Sequence, residues 1–221
     1  MPDPAPSWPE VAAFRRAERE RLRAVRSSTG PEIRAAVVGN IDLVVDELLR
    51  SGPAPCLAFY WPIRGELALF SAMKRAASNG ATVALPVVVD KHGPLQFRRW
   101  TPASRMEPGV WNIPIPVEVD EVDPQVLFVP VVGFDAGRYR LGNGGGYYDR
   151  TLAARSPRPR AIGIGFQSLR LPTIWPQPHD LPMDLMVTEA PFDLSALRAW
   201  WPLRIDCASP PCGQPEAPGP V

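Results

Sequence analysis

Apolar residues recur at near-helical intervals between Pro9 and Arg26: Val11, Phe14, Ala17 or the adjacent Glu18, Leu22 and Val25, set among many charges. The spacing predicts an amphipathic helix with a strongly basic solvated face. A second helical pattern starts at Pro31, well placed in a first turn, and runs through "EIRAAVVGNIDLVVDELLR" to the stop at "SGPAP". The period then changes. "CLAFYWPI" is a short, continuous apolar run bounded by proline and glycine, which predicts a buried strand. "GELALFSAMKRAASNG" returns to helical spacing and ends at Asn79-Gly80, and "ATVALPVVV" is again continuous. Beyond these, "LQFRRW" predicts a short extra strand and "TPASRMEPGVWNIPIP" a proline-punctuated crossing. "VLFVPVVGF" predicts a third buried strand, "GYYDRTLAARS" the start of a helix, and "RAIGIGF" and "DLMVTE" two further strands. No internal repeat is present.

Continuous apolar strands separated by helices imply a parallel sheet covered on both faces. The expected fold is a single three-layer α/β/α domain with a mainly parallel sheet and the N-terminal helices over the mouth of a site. A chain of 221 residues, 45% hydrophobic, is long enough for one sizeable core, assigned here to residues 1–204. Residues 205–221 form a proline-rich tail expected to be disordered. A formal net charge of +1 supplies no general pull toward nucleic acid or an anionic membrane, so any basic site must be local. Three cysteines, Cys56, Cys207 and Cys212, have no ligand-like spacing and suggest neither a disulfide framework nor a thiolate metal site. With no signal peptide and no membrane-spanning run, a cytoplasmic protein is expected.

The chemistry concentrates in "RYRLGNGGGYYDR", Arg138 to Arg150, where four glycines occupy five positions. The run lies beyond a buried strand and just before a helix, the edge at which open α/β sheets bind ligands. Glycine amides ahead of a helix N-terminus make a concavity of donors suited to phosphate oxygens, and Arg140 adds a charge beside it. No Gly-Lys-Ser/Thr follows, and Tyr147 stands where a dinucleotide fingerprint has its last glycine, so the general nucleotide motifs are excluded. Asp149 fits either a Mg²⁺ bridging phosphates or a helix-start carboxylate.

With "FYWPIRGEL", "VALPVVV", "LFVPVVGFDAGRYRLGNGGGYYDRTL", "IGIGF" and "HDLPMDLMVTE" in this order, the chain resembles the 5-formyltetrahydrofolate cyclo-ligase family, also called methenyltetrahydrofolate synthetase. The resemblance runs from the first helix to Glu189. It implies a ligase that uses ATP and Mg²⁺ to close 5-formyltetrahydrofolate, with or without a polyglutamate tail, to 5,10-methenyltetrahydrofolate, a C–N bond formation that releases ADP and phosphate. The resemblance assigns ATP to Arg140, Leu141, Gly142, Asn143, Gly144, Gly145, Gly146, Tyr147 and Tyr148, together with an early basic pair. That pair is Arg15 and Arg19, or Arg19 and Arg23 in the alternative register. Trp61, Glu66 and Tyr147 fall at folate positions, and Asp149 and Asp184 at Mg²⁺ positions. His179 either pins its loop or reaches phosphate. Asn143 departs from the tyrosine or basic residue common at its place, which bears on substrate affinity. Two other readings stand beside this one: a folate- or nucleotide-binding paralogue without turnover, and a sugar-phosphate isomerase or CoA-transferase-like enzyme of the same fold class.

Overall fold

In the computed structural model, which describes residues 6–50 and 53–201, two long helices precede the sheet, α1 (Trp8–Ser28) and α2 (Pro31–Arg50). The boundary expected after residue 204 lies outside the described residues. Helix α1 does not bury the stripe its apolar residues suggest. Its buried positions are Val11, Arg15, Leu22 and Arg26, whereas Phe14 and Val25 are only half-buried. Two arginines therefore lie on the inward face, where side-chain and carbonyl partners await them.

After the helices come β1 (Cys56–Ala58), α3 (Phe70–Ser78), β2 (Thr82–Val87), β3 (Gln96–Trp100) and a small hairpin, β4 (Met106–Pro108) with β5 (Pro114–Pro116). The second half holds β6 (Val126–Pro130), β7 (Gly133–Phe134), β8 (Arg140–Leu141), α4 (Tyr147–Ala154), β9 (Arg160–Ile164), β10 (Leu185–Val187) and α5 (Leu194–Trp200). Six strands form the main sheet in the order β10-β9-β6-β1-β2-β3. All its pairings are parallel except that of β2 with the edge strand β3. The mainly parallel sheet is as expected.

Side chains alternate across the sheet. Leu57, Phe59, Val83, Leu85, Phe128 and Ile162 join the larger core beneath α2, α3 and α5, while Ala58, Ala84, Leu127, Val129 and Ala161 join a smaller one that includes Leu152 of α4. The three layers are thus unequal. Phe59, just beyond β1, and Phe128, in the middle of β6, stack with ring centroids 4.4 Å apart, a contact worth about 0.5–1.5 kcal/mol beyond the area it buries.

Three local departures from the sequence reading shape the site. The third apolar run breaks at Val131, and β7 leaves the sheet to pair antiparallel with β8, delivering Arg140 to the start of the glycine run. Helix α3 begins at Phe70 rather than Gly65, because Arg64 and Gly65 have φ of 50° and 76° in a turn that no helix can include. Residues 61–69 are therefore a loop. The proline-punctuated crossing contains the β4–β5 hairpin, whose tip carries Trp111 and Asn112, both at positive φ.

Candidate active site

The chain leaves β1 for β2 on one side and returns to β6 on the other, so the strand order reverses between β1 and β6. Crevices at the carboxyl ends of strands at such a reversal are the usual ligand sites of open α/β sheets. A cavity of about 510 Å³ opens there. Tyr60 and Trp61 follow β1 into it, Pro130 ends β6 beside it, α1 contributes Arg15 and Arg19, and the hairpin tip contributes Trp111. Its walls combine aromatic faces with a few charged groups, the usual make-up of a small-molecule pocket.

Glycines 142 and 144–146 line the same cavity. Gly144 and Gly146 have φ of 103° and 66°, and Gly146 caps α4 in the left-handed region, where side chains are disfavoured. A Cβ on Gly145 would lie 2.7 Å from the Tyr147 ring. The amides of Gly144, Gly145 and Gly146 have no hydrogen-bond partner among the described residues, and α4 starts immediately behind them. Donors aligned with the positive end of a helix await an anion. Arg19 reinforces this: its Nε donates to the Gly142 carbonyl at 2.9 Å, and burial, with Arg15 and Arg23 alongside, pulls its pKa down. Like charges crowded into a half-buried place favour an incoming polyanion.

Next to the glycine run, Glu66 is buried within the turn before α3. Its Oε2 accepts the Ile63 amide at 3.1 Å and its Oε1 accepts Asn143 Nδ2 at 3.2 Å, with Arg26 Nη1 3.6 Å away. Burial lifts the Glu66 pKa, opposed by the Ile63 amide, Arg26 and Asn143. Trp61 lines the same cavity and rests edge-on against Phe70 at 4.9 Å. Aromatic surface, a buried acceptor and phosphate-type donors line one cavity, and the Asn143 bond joins the acceptor to the glycine run.

The sequence profile of the 5-formyltetrahydrofolate cyclo-ligase family matches residues 11–189, most of the chain and both walls of the cavity. The chain belongs to this family. The 5-formyltetrahydrofolate cyclo-ligase of Haemophilus influenzae is 30% identical over 151 residues, 63% of this chain and 79% of its own length. That of Mycolicibacterium smegmatis is 31% identical over 151 residues, 62% of this chain and 74% of its own. The solved 5,10-methenyltetrahydrofolate synthetase of Aquifex aeolicus aligns with a TM-score of 0.68 at 26% identity, covering 80% of this chain and 91% of that one. A Mycoplasma pneumoniae synthetase shares the fold with a TM-score of 0.62 at 21% identity.

Of the residues that the resemblance to the cyclo-ligase family singled out, the cavity brings together Arg15, Arg19, Trp61, Glu66, the run Arg140–Asp149 and His179. They are not equivalent. Arg15 is saturated by the Ile174 and Trp175 carbonyls and by Asp180, whose carboxylate is 2.5 Å away, so it ties down the 174–180 loop. Arg19 and Arg23 face the glycine run instead, Arg23 through Asn143 at 3.1 Å. Arg140 is paired with Asp149 at 2.9 Å and is not a free charge. His179 is exposed at the rim, its ring edge-on to Trp8 at 6.3 Å.

Asp184 is not brought to the cavity. It precedes β10, at the amino edge of the sheet, where its carboxylate accepts the Ala161 amide at 2.8 Å and Arg160 at 3.2 Å, with Arg158 3.6 Å away. Among the described residues no three His, Cys, Asp or Glu side chains converge as a metal cage. Asp149, with its Oδ1 accepting the Leu181 amide at 3.0 Å and its Oδ2 paired with Arg140, lines the cavity where it can share a hard cation that arrives with phosphate oxygens; Asp184 lies away from it. Sequence reasoning missed Trp8, Trp111, Arg26 and Asp180. Only Arg26 left a signal, since it follows Leu22 by one helical turn.

Proposed function

We propose that the chain performs its family's reaction in this cavity: the ATP-dependent closure of 5-formyltetrahydrofolate to 5,10-methenyltetrahydrofolate. The observation that carries the reading is that one cavity is lined by two ligand environments, the Gly144–Gly146 amides before α4, without partners among the described residues, and buried Glu66 with Trp61. The triphosphate lies on the Gly142–Gly146 run under Arg19. The pterin stacks on Trp61 and Tyr147 and donates its N–H groups to Glu66. Folate, with or without a polyglutamate tail, and ATP are the two substrates.

In this arrangement the formyl oxygen attacks the terminal phosphorus and ADP departs; the neighbouring folate amine then closes on the activated carbon and expels phosphate. Phosphoryl transfer of this kind depends on positioning and charge neutralisation, which loop amides and arginines provide without a protein nucleophile. Arg140, fixed by Asp149 and the Leu181 carbonyl, keeps the start of the loop rigid. Mg²⁺ bound with the nucleotide would neutralise phosphate charge, and Asp149 is the side chain that would hold it. No described helix is long and apolar enough to cross a membrane, and a reducing cytoplasm is the compartment we propose.

The test is turnover of 5-formyltetrahydrofolate by the full chain with and without ATP, followed by the near-ultraviolet absorbance of the methenyl bridge. Product that forms only with ATP is the expected result. A chain that binds both ligands without turnover would be a binding paralogue. Isomerase-like chemistry independent of ATP would overturn the reading.

A further inference from the structure

Asn143 stands where the glycine run has its only side chain, between Gly142 and the triplet Gly144–Gly146. A backbone with so few side chains has many accessible conformations and little intrinsic reason to prefer one. The orientation of the loop therefore depends on what holds it from outside. Two tethers come from α1: Arg19 Nε donates to the Gly142 carbonyl at 2.9 Å, and Arg23 Nη2 donates to Asn143 Oδ1 at 3.1 Å. A third comes from the turn before α3, where Asn143 Nδ2 donates to Glu66 Oε1 at 3.2 Å.

The chemistry of the two partners explains the residue type. Arginine only donates and an ionised glutamate only accepts, so a side chain that bridges them must accept at one atom and donate at another. A carboxamide does both. A lysine or arginine here would repel Arg23, an aspartate would repel Glu66, and a methionine would engage neither. The span matters as well. Glu66 belongs to the turn before α3, Arg23 to α1 and Asn143 to the loop before α4, so one amide joins three elements around the cavity.

We propose that Asn143 is a positioning residue that couples the folate wall of the cavity to the nucleotide loop, so that each ligand binds more tightly when the other is present. The proposal rests on the reading above that pterin engages Glu66 and triphosphate engages the glycine amides. A pterin that fixes Glu66 also fixes the acceptor of Asn143, and through it the loop, which reduces the ordering cost that triphosphate must meet. Linkage makes the effect reciprocal: nucleotide in the loop presents Asn143 to Glu66 and organises the carboxylate for pterin.

The experiment is calorimetric titration of the full chain with 5-formyltetrahydrofolate, alone and with saturating Mg²⁺ and a β,γ-imido ATP analogue. In the parent protein the analogue should tighten folate binding about fivefold or more, the lower end of common coupling strengths. In Asn143→Ala that ratio should fall to within about twofold of one, while each ligand still binds alone. Asn143→Asp retains an acceptor for Arg23, but replaces the donor to Glu66 with a like charge, and it should abolish the ratio equally. A merely structural residue would weaken both ligands and leave the ratio intact; that outcome, or an unchanged ratio in both variants, overturns the proposal. Binding of both ligands by the parent with a ratio of one overturns it alone. Failure of the parent to bind either ligand overturns the site reading as well.

Discussion

The two edges of the sheet carry similar residues in different states. At the carboxyl edge, the Gly144–Gly146 amides have no partners among the described residues, Arg19 is crowded by Arg15 and Arg23, and Glu66 is buried against its ordinary preference for water. At the amino edge, Asp184 is enclosed by the Ala161 amide, Arg160 and Arg158. Folding has satisfied the second edge and left the first prepared for charges that the chain does not supply. Asp149 and Asp184 make the contrast sharpest: the family resemblance offers both as metal ligands and both are paired, Asp149 with Arg140 and the Leu181 amide, but only Asp149 lines the cavity.

The largest effect that would break the comparison is at Asp149. Asp149→Asn is nearly isosteric and should fold, yet turnover should fall on the order of a hundredfold or more, since metal charge in phosphoryl transfer is worth several kcal/mol. Initial rates at saturating ATP and folate measure it. Next is Trp61→Ala, which should raise the folate Kd about tenfold through lost stacking and buried area while the ATP-analogue Kd stays close to the parent's. Equal losses for both ligands would make Trp61 a core aromatic.

A smaller, pH-dependent effect belongs to Glu66. Its pKa is raised, so it takes up a proton at a higher pH than an exposed glutamate does, and only the ionised form accepts two N–H bonds. Folate affinity should therefore decline as pH falls through that raised value. Glu66→Gln should bind folate more weakly at neutral pH and show a flatter decline, read from Kd measured across a pH series. The smallest catalytic effect is expected at Asp184. Asp184→Asn should lower thermal stability by about 1 kcal/mol, the scale of a lost hydrogen bond with partly exposed ion pairs, and leave turnover within a few-fold of the parent.

How much of this was legible in the sequence follows from what each signal reports. Continuous apolar runs revealed the buried parallel strands because burial on both faces leaves no alternation to confuse them. The same runs overstated strand length: Val131 and Val132 are core residues between β6 and β7, and beyond β1 Phe59 is core while Tyr60, Trp61 and Ile63 line the cavity. The glycine run was readable because its backbone requirement is local. The inward burial of Arg15 and Arg26 was not, because a charge at an inward helical position looks like a solvated face until the elements packed against it are known. Asp184 shows the converse: position in a motif cannot tell which edge of the sheet a carboxylate will occupy.

The most direct test of the contrast between the edges is the Mg²⁺ concentration for half-maximal turnover, measured for the parent, Asp149→Asn and Asp184→Asn at saturating ATP and folate. Asp184→Asn should match the parent within about twofold, whereas Asp149→Asn should need on the order of tenfold more Mg²⁺ or fail to reach the parent rate at any concentration. An Asp184→Asn protein that folds normally yet shows the large Mg²⁺ shift would contradict the account.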